Sequence, residues 1–138
     1  MTSTEFKTYV SFYFDHWLEF YGFHVPANFT LSGKLYESIY EKNDRVLSVS
    51  YEPGDDYLVV MLFEKRGNCL SDFDDLSSTK SLSQLNKEFF PKVEKSETRK
   101  IDQYFNSLVA ESEESKILKK KARELIVCFH VMKRLGHL

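Results

Sequence analysis

A chain of 138 residues has the usual length of one domain and can bury a core without disulfides or metal ions. With 42% hydrophobic and 15% aromatic residues it is too apolar to be disordered, and five Gly and three Pro exclude a collagen-like or low-complexity chain. The net charge of −2 hides an uneven distribution: residues 116–138 carry +6 and residues 1–115 carry −8, and within 52–75 seven acids face two bases. No apolar run approaches the roughly 18 residues of a membrane span, and no basic segment followed by an apolar one opens the chain. Cys69 and Cys128 sit in no CxxC motif, so the expectation is two reduced thiols in a reducing compartment. These features together predict a soluble, cytoplasmic, single-domain protein spanning residues 1–138.

Thr2 and Glu5 form a capping-box pattern, and a helix is expected over residues 3–21. Phe6, Val10, Tyr13, Trp17 and Phe20 recur at helical spacing as its buried face, while Tyr9, Phe12, Phe14, Leu18 and Tyr21 spread apolar surface further round. Gly22 and Pro26 end the helix, and residues 22–34 read as a loop. Two β-rich runs, 46–51 and 57–63, flank the turn Pro53-Gly54-Asp55-Asp56 and define a hairpin. Residues 35–41 add a third strand, although Leu35/Ile39 and Tyr36/Tyr40 also suit a helical turn. Residues 66–80 read as an acidic loop. Ser81 and Gln84 open a short helix over 82–90, stopped by Pro91. Ser96 caps a helix over 97–110, and Ser112 starts a last one that ends at Gly136 with Lys133 and Arg134 in its final turn. The expected architecture is α+β: an N-terminal helix, a three-stranded antiparallel meander, then three helices packed on the sheet.

Catalytic and cofactor chemistry finds little support in this pattern. Asp72-x-Asp74-Asp75 offers clustered carboxylate oxygens to a hard cation, but an EF-hand loop needs Gly at its sixth position and Glu at its twelfth, and neither is present. Cys128 and His130, two apart on a helix, point about 200° apart and cannot act as a nucleophile and its base. The four histidines show no metal-ligand spacing, and no GxSxG, GxGxxG or GxxxxGK[ST] occurs. Lys119-Lys120-Lys121 with Arg123 reads as a solvated outer helix face, because consecutive lysines spread round a helix and no RNA-binding aromatic motif accompanies them. The expectation is therefore a protein that is not an enzyme, uses no cofactor and no metal, and contacts neither nucleic acid nor membrane directly.

A binding surface survives this elimination. The hairpin turn, with Glu52, Asp55, Asp56 and Tyr57, and the acidic loop, with Asp72, Phe73, Asp74 and Asp75, combine carboxylates with aromatic anchors. The run from Leu47 to Phe63, followed by an acidic loop and Leu85-Asn-Lys-Glu-Phe-Phe90, resembles the immunity proteins that bacteria carry against contact-dependent growth inhibition and related polymorphic toxins. That resemblance implies a protein that occludes the active site of a cognate toxin domain, typically a basic nuclease, with the acidic surface standing in for phosphate charge. An adaptor that uses its aromatic first helix is the alternative reading, and a metal-dependent enzyme built on the Asp72 cluster is a third.

Overall fold

A computed structural model of the chain describes residues 1–66, 69–70 and 78–138. The capping box forms as the sequence predicts: Thr2 Oγ1 accepts the Glu5 N–H at 3.1 Å and Glu5 Oε1 accepts the Thr2 N–H at 3.0 Å. Helix α1 then runs Ser3–Phe20. It stops at Gly22, whose φ of +91° lets Gly22 N–H reach the Glu19 carbonyl and Phe23 N–H the Leu18 carbonyl. This is a Schellman ending, which needs a left-handed residue where the Gly stands. Lys42 Nζ donates to the Tyr21 carbonyl at 2.6 Å and so places a cation at the negative end of the helix.

The chain packs as two compact units, Met1–Ser81 and Leu82–Leu138. In the first, strands β1 (Asn28–Ser32), β2 (Leu35–Lys42), β3 (Arg45–Glu52) and β4 (Tyr57–Arg66) form an antiparallel meander. The two-residue strand β5 (Cys69–Leu70) pairs with the end of β4, and β6 (Thr79–Ser81) pairs with its middle, Met61 opposite Ser81. The expected three-stranded meander is therefore corrected. Segment 22–34 is not all loop: Phe29 and Leu31 alternate with Asn28, Thr30 and Ser32, and Gly33 at φ +58° turns the chain back onto β2. Pairing on both sides settles residues 35–42 as strand, because Tyr36 must face Tyr51, and Tyr40 must face Leu47, for the sheet to present one apolar side.

That side is the one α1 covers. The Phe6 ring lies 6.4 Å from Phe29, 6.0 Å from Tyr36 and 6.1 Å from Tyr51, and Tyr40 donates its hydroxyl to Asp15 at 2.6 Å. The buried stripe of α1 is Phe6, Val10, Tyr13, Phe14 and Leu18. Phe14, expected on another face, is fully buried, whereas Phe20, expected inside, is 62% exposed. The stripe is centred near Val10 and Phe14, which puts Phe20 roughly 80° off its axis at 100° per residue. The opposite face of the sheet carries a second cluster, Val46, Met61 and Phe63 with Ile39 and Val59, beside a hydrogen bond from Ser48 to Glu37. The middle of β3 is thus buried on both faces.

The second unit contains α2 (Leu82–Phe89), one 3-10 turn (Phe90–Lys92), α3 (Lys95–Asn106) and α4 (Glu113–Arg134). Helix α3 starts before the expected cap at Ser96. Its cap is Glu94, whose N–H is accepted by Glu97 Oε1 at 2.9 Å, and the helix ends at Asn106 rather than 110. Ser112 caps α4 by accepting the Ser115 N–H, and Gly136, at φ +79°, closes it with His137 N–H on the Met132 carbonyl. From Leu125 to Phe129, and again at Val131 and Met132, α4 is buried on every side, as the central helix of a bundle must be. Glu97 ties α3 to its end, accepting from Arg134 Nε at 2.9 Å with His130 Nε2 at 3.2 Å. Burial pushes the Glu97 carboxyl up, but the Arg134 and Glu94 hydrogen bonds and the nearby positive charge outweigh it and hold it below the usual range.

Two expectations follow. Phe14→Ala should lose about 3–5 kcal/mol of stability by leaving a cavity, while Phe20→Ala should change it by less than about 0.5 kcal/mol, as measured by urea unfolding. Because its folded pKa is depressed, Glu97 contributes stability above its unfolded pKa that is lost as pH falls through the folded value. Glu97→Gln should therefore lower the urea midpoint at neutral pH and flatten its fall on acidification.

Candidate functional site

The acidic turn is built by the β3–β4 hairpin. Asp55 N–H closes the turn onto the Glu52 carbonyl at 3.2 Å, and Asp56 takes the left-handed conformation, φ +50°, that a short polar side chain tolerates. The Tyr51 hydroxyl donates to Asp56 Oδ1. The Tyr51 ring is buried beside Phe6, so this bond anchors an exposed carboxylate to the core. Asp55 and Asp56 are exposed, Glu52 is half-buried, and Tyr57 presents 63% of its surface to solvent.

Four of the eight expected site residues, Glu52, Asp55, Asp56 and Tyr57, thus stand together on one projecting turn. Asp72, Phe73, Asp74 and Asp75 lie outside the described residues, as does the side chain of Cys69. The turn offers negative charge beside one solvent-facing aromatic ring, and its carboxylates accept hydrogen bonds from Lys and Arg heads.

Helix α1 adds a feature that the hydrophobic pattern concealed. Phe12, half exposed, His16 and Phe20 follow one another every fourth residue and form an exposed stripe, with the Trp17 ring edge-on to both His16 and Phe20. Spacing alone, taken at four residues from Phe12, carries this signal, but the surplus of aromatics on the helix masks which face turns inward. Ser11 and Tyr40 both donate to Asp15, at 2.6 Å each, next to a cavity of only about 40 Å³. Burial first, then the bond to Asp15, pushes the Tyr40 phenol far up, so it stays protonated and positions α1 rather than exchanging protons.

Cys128 is fully buried and its Sγ donates to Asn86 Oδ1 at 3.2 Å, while His130 turns to Glu97. Their separation follows from the helical spacing. Burial, reinforced by the Glu124 charge, pushes the Cys128 thiol up to about 12. Among the described residues no group of three His, Cys, Asp or Glu is placed to hold a metal ion, and no helix is long and apolar enough to cross a membrane. No family model, curated protein or solved structure matches the chain.

In a Cys69→Ser variant, Cys128 should resist alkylation by iodoacetamide at about pH 8 while folded and react at an ordinary rate in denaturant. Its folded pKa is raised, so the stability it lends is full below the unfolded value of about 9 and declines as pH climbs toward about 12. Prompt alkylation of the folded chain would contradict this burial.

Proposed function

We propose that the chain is a cytoplasmic immunity protein that binds a cognate toxin domain, a basic nuclease, and occludes its active site without chemistry of its own. The observation that carries this reading is the β3–β4 turn, where Asp55 and Asp56 project beside an exposed Tyr57. A nuclease cleft is basic because it must hold phosphate. Carboxylates facing it raise the association rate, and an aromatic ring entering a pocket slows dissociation. The Tyr51 bond holds Asp56 in place before binding, which lowers the ordering cost. The reading includes Asp72, Phe73, Asp74 and Asp75, whose charge adds to the same steering. The adaptor reading draws on the Phe12–His16–Phe20 stripe, an exposed aromatic strip on which two Phe rings flank an imidazole.

Co-expression with the products of neighbouring genes, any nuclease domain among them catalytically disabled, provides the test. The chain and such a domain are expected to co-purify one to one. Asp55→Lys combined with Asp56→Asn should slow association about tenfold at low salt, and Tyr57→Ala should raise the dissociation rate about tenfold, with unfolding midpoints unchanged. Changing Asp72, Asp74 and Asp75 to Lys should also slow association. If all these variants bind at wild-type rates and Phe12→Ser with Phe20→Ser abolishes binding, the acidic-turn reading fails and the adaptor reading replaces it.

A further inference from the structure

Four of the five basic residues in the first half of α4 are not dispersed. Lys116, Lys119, Lys120 and Arg123 stand at i, i+3, i+4 and i+7, one stripe of the helix, and line an open groove of about 380 Å³ against α3. The run Lys119-Lys120-Lys121 had suggested a solvated spread, but only Lys121 leaves the stripe, by roughly 150°. The nearly fully buried Phe105 closes the bottom of the groove, and among the described residues Asp102 is the one carboxylate lining it.

Two of the cations are held in place. Arg123 donates Nε and Nη2 to Asp102 at 2.8 and 3.4 Å and retains Nη1. Lys119 spends one N–H on the Leu108 carbonyl at 2.8 Å and retains two. Lys116 meets Glu113 at 3.3 Å, an exposed pair of little strength. Counting both carboxylates, the groove keeps an excess of two positive charges. Like charges at i, i+4 repel, and here two such pairs, Lys116/Lys120 and Lys119/Arg123, share one face. A bound anion removes that repulsion.

We propose that this groove binds a small phosphate-bearing molecule, an organic phosphate of about mononucleotide size, through the side-chain donors of its basic stripe. Its volume falls within the range of small-molecule sites. The stripe is about 10 Å long, short for tracking the several phosphates of a nucleic-acid strand. Fixed guanidinium and ammonium donors recognise phosphate oxygens through side chains. The site therefore needs no glycine-rich backbone cradle, in keeping with the absence of such motifs from the sequence.

Adenosine monophosphate, inorganic pyrophosphate and adenosine are the probes, titrated into the full chain at low ionic strength and followed by amide resonances and calorimetry. Both phosphate compounds should shift the amides of residues 116–123 saturably, and adenosine should not. Lys120→Glu should weaken nucleotide binding about tenfold or more. Lys121→Glu, an equal charge change off the stripe, should leave it within about twofold. The proposal is overturned if neither phosphate compound saturates, or if Lys121→Glu weakens binding as much as Lys120→Glu. It is also overturned if a glutamate-rich peptide shifts these amides where the nucleotide does not, which would mark an acidic protein surface as the occupant.

Discussion

The contact of one ring, Phe6, with three strands organises the first unit. Phe29, Tyr36 and Tyr51 belong to β1, β2 and β3, and each meets Phe6 within 6.0–6.4 Å. A one-residue slip in any of these strands would turn its aromatic to the other face and lose the contact. Register is therefore set by the helix as much as by the turns. At the far end of the interface the Tyr40–Asp15 bond fixes the helix along the sheet, since a buried phenol without a partner is costly. Once α1 is docked, Tyr51 is committed to the core, and its hydroxyl carries that rigidity out to Asp56 on the turn.

The second unit uses a different device. Helix α4 is buried all round near its middle, so its polar contacts gather on its flanks. Asp102 takes Arg123, Asn86 bridges Glu124 and Cys128, and Glu97 takes Arg134 and His130. Each pairing joins α4 to α2 or α3. The basic stripe lies N-terminal to the buried stretch, where α4 has turns to spare for solvent.

Local signals explain what was legible in the sequence. Thr2 with Glu5, Ser112 before two glutamates, and the glycines at 22 and 136 are short-range devices, and all four work as written. The hairpin through residues 46–63 was equally clear, because alternation and a Pro-Gly turn agree. Strand β1 was hidden by its brevity: two apolar positions, Phe29 and Leu31, make a weak alternation, and only pairing with β2 stabilises it. The spacing misplaces Phe14 and Phe20 because nine apolar positions on α1 leave its angle to be decided by the sheet. At the candidate site, the turn residues were legible from composition. The basic stripe was not, since it emerges only when spacing is taken from Lys116 and the wall contributed by α3 is present.

The division into units also explains the charge asymmetry better than position along the chain does. Residues 1–81 carry thirteen acids against seven Lys/Arg, and residues 82–138 carry eight against twelve. A net charge of −2 is therefore the difference between an acidic unit and a basic one. Within the first unit the Lys34 side chain passes beside Gly54 of the acidic turn, and within the second Asp102 and Glu113 offset part of the α4 stripe. An acidic surface repels phosphate and draws basic proteins, while a basic groove does the reverse. Each unit therefore carries a field of its own sign, negative in the first and positive in the second. The aromatic component differs accordingly: Tyr57 stands out into solvent, where it can enter a partner's pocket, whereas Phe105 is buried as the floor of a pocket of its own.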